Sequence, residues 1–196
     1  MRLPGIPIHR GQHGRAAALF SGLRSAAAVA LAALHAQHER AARQALRALC
    51  AIPIDEPVTS NAAVAAGAID VALAVLAAHP QHIGDAHAAP ALALELISIA
   101  AWVPRGREEM ARSGACVGEC LRALRSCAVT TSFVSLVALT GLSNLTNRCA
   151  PNKVAAHEQG AISLLLAVLT AASPSAKVLE AAARILSNIT LPAAGL

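Results

Sequence analysis

One block of sequence recurs along this chain at intervals of 44 to 50 residues. The clearest copy begins Asn152-Lys-Val-Ala-Ala-His-Glu-Gln-Gly160-Ala-Ile162 and ends Leu186-Ser-Asn188-Ile189. A second good copy runs from Glu109 through Gly114-Ala115 to Asn144-Leu145, and weaker copies precede it. A repeat of this length is typical of stacked helical units, because one copy cannot bury its apolar face without a neighbour.

The copies divide the chain into a short leading segment and a long array. Aligning Ala48, Ser98, Asn144 and Asn188 gives spacings of 50, 46 and 44 residues, close to the roughly 40–47 residues of known helical repeats. We predict repeats at residues 19–52, 58–103, 107–147 and 151–191, within an array that covers 19–196. Residues 1–18 are predicted to be a disordered or targeting-like segment.

Apolar residues within each copy recur at three- and four-residue spacing, which is the pattern of a helix with one buried face. Hydrophobic residues make up 56% of the chain, yet it has only two Phe, one Trp and no Tyr. Alanine and leucine, both strong helix formers, must therefore supply the core. Gly114 and Gly160 stand where a sharp turn with positive φ separates a short first helix from a second one. We therefore predict an all-α fold.

The last copy has the pattern Asn-x7-Gly-Ala-Ile-x2-Leu, followed about one helix later by Ala-Ala-x-x-Leu-x-Asn-Ile. This pattern resembles an armadillo repeat; the third copy fits it well, the second moderately and the first poorly. The resemblance implies a right-handed α-solenoid of the armadillo/HEAT type with about four repeats. It also implies that the third helices line a concave groove, in which their asparagines hold the backbone of an extended partner peptide.

By position, Asn144 and Asn188 correspond to those asparagines, and Ser98 takes the same place one copy earlier. A carboxamide can donate and accept hydrogen bonds at once, as binding to a peptide backbone requires. The alternative is that both amides satisfy neighbouring helix ends inside the array. Both asparagines also fit the acceptor pattern for N-glycosylation, in Asn144-Leu-Thr146 and Asn188-Ile-Thr190.

Thr140 and Arg184 stand four residues before the two asparagines, where nuclear-import members of the family carry a tryptophan. We therefore do not expect a receptor for nuclear localisation signals. Arg184 shares a helix face with Asn188, and together with Arg148 and Lys153 it predicts a basic rim for carboxylates of a partner. A solvated charge is the alternative for Arg184. The partner-binding residues that we predict are Asn144, Asn188, Arg184, Thr140, Ser98 and Arg148.

No motif predicts catalysis, a cofactor or a metal site. Gly-rich phosphate loops, nucleophile elbows and His-Glu-x-x-His helices do not occur in the sequence. Two groups of side chains have spacings that metal sites use, but we interpret the first as packed thiols and the second as a polar loop. These groups are Cys116, Cys120 and Cys127, and then His79, His82, Asp85 and His87.

We therefore expect a non-catalytic scaffold that binds a protein or peptide partner in its groove. Sixteen Lys and Arg against eleven Asp and Glu give a formal net charge of +5, which suits an acidic partner. The sequence lacks the dense basic stripe that nucleic-acid backbones favour. No polar capping unit follows the last asparagine, which predicts an apolar end that self-associates, docks a partner or continues into a longer chain.

The sequence leaves two alternatives, a membrane-associated or organellar protein and a solenoid that binds nucleic acid. Two features support the first. The first 38 residues carry arginines but no acid, as mitochondrial presequences do. The 22 residues from Ser126 to Asn147 carry no charge, although their many Ser and Thr make insertion into a bilayer unfavourable. We predict a cytoplasmic or nuclear protein, or a mitochondrial one if the N-terminus is a presequence.

Overall fold

A computed structural model describes residues 10–35, 39–51, 57–80, 88–127, 133–171 and 174–190. Within these ranges the backbone forms eleven helices and no strand, so the all-α prediction is confirmed. The helices are α1 (Arg10–His35), α2 (Glu39–Cys50), α3 (Pro57–Ala65), α4 (Ala68–Ala78), α5 (Ala89–Ala100), α6 (Pro104–Ala111), α7 (Ala115–Ser126), α8 (Phe133–Thr146), α9 (Ala150–Glu158), α10 (Ala161–Thr170) and α11 (Ala176–Thr190).

Helices α3 to α11 form three successive groups of three, and within each group the helices lengthen from first to third. We name them unit 2 (α3–α5), unit 3 (α6–α8) and unit 4 (α9–α11). Prolines stand in the first turn of each leading helix, at Pro57, Pro104 and Pro151, 47 residues apart. Proline suits this position because the N–H that it lacks has no partner within the helix.

A glycine turn joins the first and second helices of every unit. Gly67, Gly114 and Gly160 have φ angles of +87°, +63° and +78°. Side chains with a Cβ rarely adopt this left-handed conformation, whereas glycine adopts it readily. The predicted role of these glycines as sharp turns is thus the observed one.

The N-terminal part of the chain is built differently, from α1 and α2 alone, which we name unit 1. Helix α1 is a single helix of 26 residues that packs against α2, α3 and α4. Residues 10–18, for which we predicted a disordered or targeting-like segment, are the start of α1, while residues 1–9 lie outside the described residues. No proline interrupts the chain between Pro7 and Pro53, so the helix propensity of its Ala, Leu and Arg residues continues unbroken.

Helices in corresponding positions of successive units pack side by side. The third helices form the row α2, α5, α8 and α11, the second helices the row α4, α7 and α10, and the first helices the row α3, α6 and α9. One cluster of buried residues, mainly Ala, Leu, Val and Ile, runs through all the units from Leu23 to Ile185. The units therefore share a single elongated core.

Side-chain donors of later helices tie the units together. Arg122 of α7 donates from its guanidinium to the carbonyls of Leu76 and Pro80, both at 3.2 Å. Asn152 of α9 donates from Nδ2 to the carbonyls of Leu145, at 3.0 Å, and Arg107, at 3.2 Å. Leu76 and Leu145 lie in the last turns of α4 and α8, where carbonyls lack partners within their own helix, so these two bonds satisfy groups that burial would otherwise leave unpaired.

The ends of the third helices have the same spacing as the aligned positions Ala48, Ser98, Asn144 and Asn188. Helices α2, α5, α8 and α11 end at Cys50, Ala100, Thr146 and Thr190, which are 50, 46 and 44 residues apart. The helices also bond to one another, since the Cys50 thiol donates to the Leu92 carbonyl of α5.

No helix in the described part of the chain is both long and apolar enough to cross a membrane. The uncharged stretch from Ser126 to Asn147 is not one helix, because α7 ends at Ser126 and α8 begins at Phe133. The lack of charge in this stretch therefore reflects the buried faces of α8 and not one continuous span.

Candidate functional site

The third helices of units 3 and 4 each leave one row of side chains uncovered. In α8 this row has spacings of four, three and four residues, and in α11 of three, four and four, so each lies on one helix face. The α8 row is Phe133, Val137, Thr140 and Asn144, and the α11 row is Lys177, Glu180, Arg184 and Asn188. We call the two rows together the open stripe.

Five of these eight residues are exposed and three are partly buried. The exposed ones are Phe133, Thr140, Lys177, Glu180 and Arg184. The open stripe therefore presents an aromatic ring, a hydroxyl and charged groups to solvent, above a floor made of Val137 and the two asparagines.

The two asparagines use their Nδ2 atoms inside the protein. Asn144 donates to the Ser98 carbonyl at 3.1 Å, and Asn188 donates to the Ser143 carbonyl at 3.1 Å and to Thr146 Oγ1 at 3.2 Å. Each amide therefore links its helix to the third helix before it, which is the structural alternative that the sequence left open. Among the described residues no donor bonds to either Oδ1, so each amide keeps an acceptor beside the open stripe.

Thr140 and Arg184 both lie on the open stripe, as predicted from their spacing to the asparagines. The Thr140 hydroxyl donates to the Leu136 carbonyl at 2.8 Å and keeps its lone pairs for an incoming donor. Arg184 is paired with Glu180 of the same helix at 2.9 Å, and both side chains are largely exposed. An exposed pair of this kind contributes little to stability and exchanges readily for another partner.

Ser98 and Arg148 lie on either side of Asn144. Ser98 is partly buried, and its backbone carbonyl, not its hydroxyl, contacts Asn144. Arg148 is exposed just after α8, with a φ angle of +51° that few residues other than glycine adopt. The structure thus brings Ser98 and Asn144 into contact and places Arg148 one helical turn beyond them.

The exposed side chains of the third helices and the turns after them are positive overall. Five exposed cations against one exposed carboxylate give a formal charge of +4 among the described residues. Burial raises the pKa of the partly buried Glu95 carboxyl, which makes its charged form less favourable. The exposed groups are Arg40, Arg47, Arg148, Lys177, Arg184 and Glu180.

Two aromatic residues that sequence reasoning did not single out are each 51% exposed, Trp102 and Phe133. Phe133 begins α8 and Trp102 follows the end of α5, so they mark opposite ends of this pair of third helices. Their rarity was the available signal, because Trp102 and Phe133 are two of only three aromatic residues in the sequence. Exposed aromatic rings are frequent anchors in protein interfaces.

The residues weighed as metal ligands do not form a cluster in the part of the chain that is described. Cys116 and Cys120 are fully buried in α7, and burial raises the pKa of the Cys116 thiol to about 12 and also raises that of Cys120. A thiol must lose its proton to bind a metal, so such thiols are poor ligands. His82, Asp85 and His87 lie outside the described residues.

Arg107 and Asn152 are structural residues whose roles were missed. Nη1 of the buried Arg107 donates to the carbonyls of Ala101, at 3.0 Å, and Trp102, at 2.9 Å. Burial lowers the pKa of this guanidinium, and its backbone carbonyl accepts the bond from Asn152. Arg107 thereby fixes the backbone that carries the exposed Trp102. The only available signal was that both stand close behind the leading proline of a first helix, Arg107 three residues after Pro104 and Asn152 one residue after Pro151.

Residues 149–191 match the sequence family described as the armadillo/beta-catenin-like repeat. Unit 4 is therefore similar to an armadillo repeat, and we call it the armadillo repeat. The armadillo repeat contains the buried Asn152, the glycine turn at Gly160 and the open-stripe residue Asn188. No curated protein and no solved structure matches the chain.

Unit 3 shares the construction of the armadillo repeat. Both have a leading proline, a glycine turn and a third helix that ends in nearly the same four residues. These are Ser143-Asn144-Leu145-Thr146 in unit 3 and Ser187-Asn188-Ile189-Thr190 in the armadillo repeat. The similarity extends to the bonds, because each asparagine donates to a carbonyl of the third helix before it.

Proposed function

We propose that the chain is a non-catalytic interaction scaffold, a right-handed solenoid of about four units that binds a segment of a partner protein along the open stripe. The observation that carries the proposal is the side-by-side row of third helices, in which α8 and α11 leave one row of side chains uncovered beside the partly buried Leu92, Glu95 and Ser98 of α5. Armadillo repeats commonly mediate protein–protein interaction, and unit 4 is similar to one of them.

The chemistry of the open stripe suits a partner segment that combines an apolar anchor with carboxylates. Phe133 offers an exposed aromatic surface for the anchor. Arg184 and Lys177 offer cations, and the formal charge of +4 from the exposed groups of the third helices favours an acidic partner. The free acceptor of each asparagine suits a backbone N–H of the segment. The asparagines would then serve both the stacking of units and the binding of the partner.

The open stripe is tested with variants that change its exposed side chains and leave the asparagines intact. We expect the combined change Phe133→Ser, Thr140→Glu and Arg184→Glu to reduce partner capture at least tenfold, since it removes the anchor and reverses the charge. A photo-crosslinking residue is placed at Val137, between the changed positions. Proteins that become cross-linked to it in cells are then quantified by mass spectrometry.

The matched control changes two exposed residues that belong to no third helix, Arg105→Glu in α6 and Arg112→Glu just after it. It introduces a comparable change of charge and should leave capture at Val137 as in the unchanged chain. Equal capture by the open-stripe variant and the unchanged chain would contradict the proposal. Circular dichroism of both variants checks that the helices are retained.

A further inference from the structure

The turns that follow the third helices of units 2 and 3 are built alike. Each has three residues between its helices, 101–103 after α5 and 147–149 after α8. In both turns the second residue is exposed and the third is buried. The exposed second residues are Trp102 and Arg148, which therefore correspond. Because α5 and α8 pack side by side, we expect the two turns to lie roughly 8–10 Å apart, the usual distance between packed helices.

Contacts between the two turns run through Arg107 of α6. Its Nη1 donates to the Trp102 carbonyl of the first turn at 2.9 Å. Its own carbonyl accepts the Cys149 thiol of the second turn at 3.9 Å. Burial is the main cause of the lowered pKa of the Arg107 guanidinium, and the positive charge of Arg148 lowers it further. Arg148 therefore lies near Arg107, and through it near the turn that carries Trp102.

Trp102 is exposed on a backbone that is already fixed. Its side chain is 51% exposed, although tryptophan is usually highly buried. A Cβ at Gly106 would lie only 1.9 Å from the Ala100 carbonyl oxygen, so a glycine is needed for α6 to pack this closely on the end of α5. Because the turn is held in this way, little conformational freedom is lost when a partner contacts Trp102.

Two arginines beside Trp102 stand where local stability favours other residues. Arg105 lies in the first turn of α6, where the helix dipole favours a carboxylate over a cation. Arg148 has a φ angle of +51°, which suits glycine or asparagine better. Both are exposed, and neither forms an ion pair with a carboxylate among the described residues. Departures from local preference of this kind are typical of functional surfaces.

We propose that the surface formed by Trp102, Arg105 and Arg148, which we name the turn edge, binds an extended acidic segment of a partner protein. An apolar side chain of the segment packs on the Trp102 ring, and nearby carboxylates accept hydrogen bonds from the two guanidiniums. The carboxylate that reaches Arg148 stands two or three residues from the apolar side chain, since an extended chain advances about 3.3 Å per residue.

Nucleic acid and lipid fit the turn edge less well. Proteins that bind a nucleic-acid backbone commonly contact about 6–10 phosphates, whereas the turn edge has two exposed cations, and the exposed Glu108 and Glu109 follow in α6. A helix that lies on a membrane presents a broad apolar face, whereas Trp102 is the one large apolar side chain exposed in these two turns. The acidic segment is therefore the ligand that fits the charges of this surface.

The test uses fluorescence, because Trp102 is the single tryptophan of the chain and reports on this surface alone. The probes are synthetic peptides that carry leucine, phenylalanine or proline two residues before or after a pair of aspartates, with serine at the other positions. We expect one or more of them to shift the emission saturably to shorter wavelength, because an apolar side chain on the ring displaces water.

The same peptide with asparagine in place of both aspartates is the matched control. It should bind about tenfold more weakly or worse, because hydrogen bonds to charged groups are lost. A set of aspartate peptides of which none gives a saturable shift overturns the proposal, and so does equal affinity of the aspartate and asparagine forms.

Arg148→Gly is the sharpest variant of the chain, because it removes the guanidinium and leaves a residue that suits the positive φ. We expect it to weaken binding of the aspartate peptide about tenfold, while its Tm equals or exceeds that of the unchanged chain. Arg112→Gln is the matched control, since Arg112 is also exposed but is paired with Glu109 at 2.8 Å; it should leave the affinity unchanged. Equal effects of the two substitutions contradict the proposal.

Further measurements separate the turn edge from the open stripe and from other ligands. The variant Phe133→Ser, Thr140→Glu and Arg184→Glu should bind the peptide as the unchanged chain does, so the two proposals succeed or fail independently. Peptide binding that this variant abolishes places the peptide on the open stripe and overturns the proposal. Tighter binding of an oligodeoxythymidine or of phosphatidylserine vesicles that is lost in Arg148→Gly assigns the turn edge to that ligand, with the same consequence.

Discussion

A single carboxamide, that of Asn152 in α9, joins its helix to two others from the interior of the chain. It is fully buried and donates to the carbonyls of Leu145 in α8 and Arg107 in α6. We expect Asn152→Ala to lower the free energy of unfolding by about 1–3 kcal/mol, because the Leu145 carbonyl loses this donor and the Arg107 carbonyl keeps only the weaker one from the Cys149 thiol. The measurement is urea unfolding followed by circular dichroism.

Asn147→Ala is the matched control for this change, since Asn147 is an exposed asparagine near the same turn. Its replacement should alter the free energy of unfolding by less than about 0.5 kcal/mol, as is usual at surface sites. Similar losses for the two variants would show that the buried bonds of Asn152 are not the source of the effect.

At the residue scale the sequence predicted the positions of the asparagines, but it did not predict the hydrogen-bond partners of their amides. Asn144 and Asn188 lie where the repeat pattern placed them, beside Thr140 and Arg184 on one surface. The partners of their amides could not be predicted, because a carboxamide at a helix surface can turn to a ligand or to the next helix. That choice depends on the distance between helices, which no sequence spacing encodes.

The glycine turns act at the scale of the element, since each reverses the chain between two helices. An alanine Cβ at Gly114 would have ordinary contacts, the nearest at 3.8 Å, so only its φ angle of +63° opposes the substitution. We expect Gly114→Ala to lower the free energy of unfolding by about 1–2 kcal/mol through backbone strain. Differential scanning calorimetry should show a matching fall in Tm.

Gly22→Ala is the control of the same chemistry at a site without strain. Gly22 lies within α1, and no heavy atom stands within 4 Å of the added Cβ. Alanine in a helix interior stabilises by roughly 0.5–1 kcal/mol relative to glycine, so Tm should rise. A fall in Tm for both variants would contradict the role assigned to the glycine turns.

The helices of units 2 to 4 could be predicted because proline and glycine residues recur at regular intervals and mark where one helix ends and the next begins. Unit 1 could not, because its glycines at 11, 14 and 22 look like breaks yet all lie inside α1. A glycine inside a helix costs only about 1 kcal/mol relative to alanine. The packing of a long helix against α2, α3 and α4 exceeds that cost.

At the scale of the whole molecule, buried thiols link stability to alkaline pH. Burial raises the pKa of the Cys116 thiol from 9.0 to about 12, so the folded chain keeps a proton that the unfolded chain loses above pH 9. Stability from this group is therefore complete below pH 9 and declines as the pH rises toward 12. We expect a loss of about 1.4 kcal/mol between pH 8 and pH 10 from Cys116 alone.

Cys116→Ala isolates this contribution. The variant starts from a lower free energy of unfolding at pH 8, because it loses buried volume, but it should lose about 1.4 kcal/mol less than the unchanged chain on going to pH 10. Urea unfolding at the two pH values gives the comparison. Parallel losses in the two proteins would show that the thiol does not titrate on unfolding.

The whole arrangement followed from the sequence only in outline. The period of the repeat predicted stacked units, because helices with one apolar face must cover one another. It did not predict that Arg122, Asn144 and Asn152 each reach a carbonyl of an earlier helix. Those bonds form between residues 7 to 46 positions apart, and which pairs meet depends on how one helix row is displaced against the next.

The direction of these bonds has a consequence for how the protein is made. In Asn144, Asn188 and Arg122 the donor lies 42 to 46 residues after its acceptor. A ribosome adding about 5–20 residues per second therefore delivers each donor roughly 2–9 s after the carbonyl that receives it. For these bonds the acceptor carbonyl has already been synthesised when its donor emerges, whereas Cys50 and Arg125 donate to carbonyls that follow them in the chain.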